Sequence, residues 1–185
     1  KATPAALVDA VRGETAEQTL ASMVEITGGL CDLVESLDGE QWSAIGESPV
    51  GHVTMTELVH HALWDAWIHE RDVMAPLGMV QDEEPDEIVA SLRYVAALAP
   101  VFALQSGTGH RGALAVDATH PDVSFVVLVD DRVRVTEGPA PAGAAALTGG
   151  AVELLDALSI RSPLRQPVPT EQAWLVAGLA DVFEA

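Results

Sequence analysis

A chain of 185 residues with a formal net charge of −19 and nine basic side chains presents a strongly acidic surface, which repels phosphate backbones and anionic lipid heads. Neither a nucleic-acid partner nor a membrane-surface partner is expected. Nearly half the residues (49%) are hydrophobic, 20% are charged and 4% are aromatic, so the chain is too apolar for disorder and its core must be filled by Ala, Val and Leu.

The length suits one good domain or two small ones. No apolar run is seen to approach the ~18 residues of a membrane span. The single cysteine, Cys31, cannot form an internal disulfide, which fits a reducing cytoplasm. Its neighbours Leu30, Leu33 and Val34 predict that it is a buried packing residue. The chain begins at Lys1, not at a methionine, and has no signal-like segment, so the expectation is a cytoplasmic protein whose sequence starts inside a longer product.

Thr3-Pro4 can open a helix, with Pro4 as its first residue. Apolar residues from Ala6 to Ile26 follow helical spacing, with Gly13 and Gly28-Gly29 as weak points. One long bent helix and two shorter ones both fit. The pattern continues from Cys31 to Leu37 and stops at Asp38-Gly39. Residues 40–52 read as a loop with Pro49 and Gly51 as turn signals, and Thr54 or Thr56 caps the next helix, which Pro76 and Gly78 stop. The acidic run 81–87 is a solvated lead-in to a further helix from Ile88 to about Gln105, which Pro100 should kink or end.

The pattern changes after Ser106-Gly107-Thr108-Gly109. Strands are predicted over 113–117, 123–129 and 132–136, the last two joined at Asp130-Asp131 as a hairpin. Residues 138–146 read as a low-complexity linker, 149–160 as an amphipathic helix, and Thr170 opens a final helix that runs into the terminal VFEA. The expected division is therefore helical over 1–105 and mixed α/β over 106–185.

The stretch that could carry chemistry is Thr56–Gly78, TELVHHALWDAWIHERDVMAPLG. Glu57, His61, Asp65 and His69 are each four apart, and residues four apart share a helix face. Successive steps rotate by about 40°, so only neighbours can share a ligand: Glu57 with His61, or Asp65 with His69. A carboxylate and a histidine from one helix, completed by a histidine from another, is how helical bundles hold a metal. Taken alone, the Asp65/His69 spacing fits a solvated helix face at least as well. HERD is not a zinc-protease motif, because position 73 is Val. Arg71, two residues past His69, should pair with Asp72 or Asp65. Arg161, close after the 149–160 helix, is a candidate anion-binding residue, although a cation at a helix C-terminus accounts for it equally. Trp64 and Trp67 read as core or pocket wall, while Arg132, Arg134, His110 and His120 read as surface residues.

WDAWIHERDVMAPLG (64–78), preceded by SPVG (48–51), resembles the core of the mycothiol-dependent maleylpyruvate isomerase family. The segments GHRGALAVDATHPD (109–122), ALTGGAVELLDALSIR (146–161) and GLADVF (178–183) resemble that family's C-terminal sterol-carrier-like domain, in the same order. The resemblance implies an α+β protein: a DinB-like four-helix bundle over 1–105, then a small α/β sterol-carrier-like domain over 106–185. It implies a divalent metal, commonly zinc, held by Asp65 and His69 together with an earlier histidine, whose segment is expected to precede Lys1. Asp65 stands where the family often has Glu. It further implies mycothiol as co-substrate, Arg161 in the active site, and a small-molecule substrate undergoing cis–trans isomerisation or S-transfer. A rival expectation is a non-enzymatic binder of small hydrophobic molecules that keeps the architecture and has lost the metal centre.

Overall fold

A computed structural model describes residues 3–48, 50–107 and 109–183. The expected turn signal at Pro49, the role of Thr108 and the last two residues of the final helix lie outside them. The described residues form an α+β protein with six α-helices and two sheets. They divide into two compact units at Ala44/Ile45.

The first unit holds helices α1 (Pro4–Val11) and α2 (Ala16–Ser36). Local capping decides the choice between one helix and two. Thr3 accepts a hydrogen bond from the Ala6 amide at 3.3 Å. Thr15 then starts α2 with a reciprocal cap, its hydroxyl accepting from the Gln18 amide while the Gln18 side chain accepts from the Thr15 amide. Gly28 and Gly29 lie inside α2 without breaking it. No residue of α2 is buried, and Leu20, Met23, Val24 and Ile26 are all exposed. Cys31 is exposed too, contrary to the packing role expected of it, because no core forms around this helix within its own unit.

The second unit opens with strands β1 (Ile45–Ser48) and β2 (Gly51–Thr54), an antiparallel hairpin where the sequence suggested a loop. Thr54 leads directly into α3 (Met55–Met74). Its hydroxyl accepts from the Glu57 amide at 3.4 Å, and the Glu57 carboxylate accepts from the Thr54 amide at 2.9 Å. A 3-10 turn over Ala75–Leu77 ends α3 at Gly78, whose φ of +69° is left-handed.

Helix α4 (Pro85–Gln105) starts with Pro85 in its first turn, followed by Asp86 and Glu87. It runs through Pro100, so of the two expected outcomes, a kink or an end, the helix does not end there. The lost backbone bond is offset by burial of Leu98, Ala99 and Pro100 itself. This helix is also long and apolar enough by length and composition to cross a membrane, which the sequence reading did not anticipate. Here its apolar residues Ile88, Leu92, Val95 and Ala96 are buried in the core.

A four-stranded sheet follows in the order β5-β4-β3-β6, formed by β3 (Gly112–Thr119), β4 (Val123–Val129), β5 (Val133–Thr136) and β6 (Ala145–Gly150). The first three strands pair antiparallel, and β6 returns parallel to β3. Strand β6 lies where a linker and then a helix start were expected. It leads straight into α5 (Ala151–Leu158), and a 3-10 turn at Thr170–Gln172 precedes α6 (Trp174–Phe183). Trp67, Leu92, Leu114, Val127, Leu147, Leu155 and Leu175 belong to one buried cluster, so α3 and α4 share their core with the sheet, α5 and α6. The four-stranded sheet begins after residue 105, while the β1–β2 hairpin lies before it in the same unit.

Helices α4 and α6 meet almost backbone to backbone. A Cβ at Gly178 would lie 2.1 Å from the Ala99 carbonyl oxygen, and that oxygen belongs to the main chain and cannot swing away. Gly178→Ala is expected to destabilise the protein by about 1–3 kcal/mol or more through forced separation of the helices. Gly28→Ala, where a Cβ meets nothing within 4 Å, should not lower stability. Urea denaturation of both variants checks the contrast.

Candidate functional site

Helix α3 has a buried face made by Trp64, Trp67 and Ile68. Trp67 is fully buried, which bears out its reading as core, and Trp64 donates its indole N–H to Ser159 Oγ at 2.9 Å. Rotated by one residue from that face stand Asp65, His69 and Asp72, spaced i, i+4, i+7. The buried face being fixed, this second row falls on the rim.

On the rim, His69 Nε2 lies 3.5 Å from Asp65 Oδ1, and His69 Nδ1 lies 3.5 Å from Asp72 Oδ2. The side chains of His69 and Asp65 are 64% and 52% exposed, so both are open to a solute. Asp72 is held from the other side by Arg161, whose Nε and Nη2 donate to its two oxygens at 2.9 and 2.6 Å. This pairing holds the Asp72 carboxyl below its ordinary range, the Arg161 hydrogen bond being the main cause and His69 a smaller one. Burial, a larger influence than His69, pushes the other way. Arg161 also donates to the Ser159 carbonyl at 2.9 Å. Arg161, expected as an anion-binding residue, has its guanidinium paired with the carboxylate of Asp72.

The chain reaches Arg161 through a tight helix end. The Arg161 amide donates to Asp156 O at 2.8 Å and the Ile160 amide to Ala157 O at 3.1 Å, the two bonds of a Schellman cap. Ile160 occupies the left-handed position with φ +57°, where Gly is usual and a β-branched residue is strained. Arg71, expected to pair with Asp72 or Asp65, instead donates to Asp156 Oδ2 at 2.8 Å and lies 4.6 Å above the Trp67 ring. The two arginines have exchanged the partners that sequence proximity suggested.

The second spaced pair, Glu57 and His61, is not brought together as a ligand pair. Glu57 caps its helix, and His61 turns to α4, where its Nδ1 lies 2.9 Å from the Tyr94 hydroxyl. Burial, reinforced by the charges of Asp65 and Glu57, pushes the Tyr94 phenol up to about 12. His60 points to a half-buried setting that holds its imidazole below the ordinary value; Glu57 opposes this and Arg93 adds to it. Elsewhere, His110 stacks on Trp174 at 4.9 Å and Arg134 pairs with Asp130.

Sequence reasoning missed Tyr94, Ser159 and the anchoring role of Asp72. Tyr94 is the sole tyrosine of the chain, which singles it out, but a pairing across 33 residues has no local spacing to reveal it.

Zinc ligands of this kind stand about 2.0–2.2 Å from the ion, which separates two tetrahedral donors by about 3.3 Å. The 3.5 Å between His69 Nε2 and Asp65 Oδ1 fits two positions on one ion. A catalytic zinc takes three protein ligands. Among the described residues no group of three His, Cys, Asp or Glu side chains is placed to hold one, so the fit extends to two donors. Two shallow depressions of about 230 and 300 Å³ lie beside Arg71, Met79 and Gln81, and beside Thr148, Leu154 and Gln166. Neither is lined by Asp65 or His69. No protein-family model matches the chain, and no curated protein or solved structure matches it significantly.

Absorbance of phenolate near 295 nm should show the one tyrosine titrating near pH 12, not near 10. Because the folded value lies above the unfolded one, its stabilising contribution is complete below pH 10 and is lost as pH rises through 12. Tyr94→Phe should remove that alkaline slope. His60 acts in the opposite window: its lowered folded value predicts stability falling as pH drops below about 6.5.

Proposed function

We propose that this chain is a divalent-metal-dependent enzyme that uses a low-molecular-weight thiol, of the mycothiol-dependent maleylpyruvate isomerase type. On this reading Asp65 and His69 are two of its metal ligands, most suitably for zinc, and the helices belong to a DinB-like bundle joined to a sterol-carrier-like part. The observation that carries it is the exposed Asp65/His69 pair, its donor atoms 3.5 Å apart on one face of α3 within the stretch that resembles the family.

The neighbouring residues support the pair. Asp72 lies on the Nδ1 side of His69, so an Nδ1–H directed at that carboxylate leaves the Nε2 lone pair beside Asp65. Arg161 in turn orients Asp72 and neutralises it. When bound, the ion would supply positive charge that favours thiolate over thiol on a small thiol. Addition of that sulfur to an activated double bond forms the C–S bond and opens the π bond. Expulsion after rotation is isomerisation, and retention is S-transfer. The reading requires a third donor beyond those the described residues bring together.

The two-donor count favours one alternative, a binding protein for small hydrophobic molecules in which the metal centre has been lost. Elemental analysis after equilibration with zinc and removal of free ion separates the two. The proposal expects about one zinc per chain in the wild type and a large loss in His69→Ala and Asp65→Ala. Equal zinc in all three, or none in any, contradicts it.

A further inference from the structure

Two adjacent histidines, His60 and His61, point about 100° apart around α3. His60 goes to a half-buried site near Glu57 and Arg93, whereas His61 enters a ring cluster with Trp64 and Tyr94. The three ring centres stand 5.9, 5.6 and 5.7 Å from one another, a triangle in which each ring touches the other two. The contact between His61 Nδ1 and the Tyr94 hydroxyl, at 2.9 Å, is the polar link within it.

The phenol keeps its proton far above neutral pH, because burial and the nearby Asp65 and Glu57 charges oppose its ionisation. Its hydroxyl can donate to Nδ1 or accept from it; with the phenol as donor, the proton of the neutral ring lies on Nε2. That Nε2–H has no hydrogen-bond partner among the described residues. A half-buried N–H without a protein partner can donate to water or to an acceptor on a ligand that displaces it.

We propose that His61 is a substrate-binding residue, its Nε2–H donating to a neutral carbonyl oxygen on an apolar ligand body, with Tyr94 as the positioning residue that holds the tautomer. Neutral carbonyl is favoured over carboxylate because Glu57 and Asp65 lie one turn to either side of His61 on α3, and their charges repel an anion. The indole of Trp64 and the phenol ring of Tyr94 suit hydrocarbon. The inference rests on the proposed function only for its role: thiol addition to an unsaturated carbonyl builds negative charge on the oxygen, which a fixed N–H stabilises. The donor geometry stands without the metal.

The test uses the metal-free protein in chelator, 15N-labelled, with cyclohexanone as the probe and acetate as the anionic comparison. Long-range 1H–15N correlation, with His61→Gln to identify the ring, reads the tautomer directly. The expected results are an Nε2-protonated His61 and a saturable shift of its Nε2 on adding cyclohexanone. Cyclohexanone affinity should fall about fivefold in Tyr94→Phe, in line with the loss of one hydrogen bond, and acetate should bind more weakly than the ketone. A proton on Nδ1, donated to the phenol oxygen, would overturn the proposal, as would cyclohexanone leaving His61 unmoved or acetate binding more tightly. The tautomer reading needs no variant of Tyr94, so it stands even if Tyr94→Phe fails to fold. Since no metal is present, failure here is distinct from failure of the Asp65/His69 reading, which zinc content alone decides.

Discussion

Helix α3 is stitched to the segment at the end of α5, and the placement of Asp65, His69 and Asp72 follows from that attachment. Trp64 donates to Ser159, Arg71 reaches Asp156, and Asp72 takes Arg161, so three side chains within two turns grip a six-residue stretch. Trp64 and Arg71 are seven apart and share a face with Trp67 and Ile68. Burial of the two indoles supplies most of the energy, several kcal/mol by apolar area at about 25 cal/mol per Å². The Trp64–Ser159 bond adds direction, since leaving that buried N–H unpaired costs about 1–3 kcal/mol. The partly exposed Asp72–Arg161 pair contributes about 1 kcal/mol or less and works chiefly as a positioning device. With the buried face fixed, α3 cannot rotate, and Asp65 and His69 must stand at the rim.

Much of this arrangement was legible where a signal is local. Thr54 and Glu57 announced the start of α3, Gly78 its end, and the Val- and Phe-rich run 123–129 became β4 with its expected bounds. The misses share a different cause. Strand β6 is mostly Ala and Gly, with Thr148 as its one β-branched residue, and its parallel pairing with β3 makes it a strand; its alternation of buried Ala145 and Leu147 with exposed Ala146 and Thr148 is too short to detect alone. Cys31 is exposed because α2 finds no core in its own unit, an outcome that depends on tertiary neighbours, which periodicity does not report.

The candidate site divides the same way. A four-residue spacing was enough to place Asp65 beside His69, since one helix supplies both. The partner of Arg71 was mispredicted, and that of Arg161 not foreseen, because the carboxylates they meet, Asp156 and Asp72, lie more than 80 residues away in sequence. The result is a carboxylate–histidine–carboxylate row backed by a guanidinium, beside a separate His–Tyr–Trp cluster on the same helix. One group presents two donor atoms 3.5 Å apart, the other a His61–Tyr94 contact among aromatic rings.

The central claim is that Asp65 and His69 take one divalent ion between them. Anomalous diffraction at the zinc edge from zinc-soaked crystals tests it most directly. The account predicts a peak about 2.0–2.2 Å from both His69 Nε2 and an Asp65 carboxylate oxygen. A peak elsewhere, with no anomalous density between these two side chains, would contradict it.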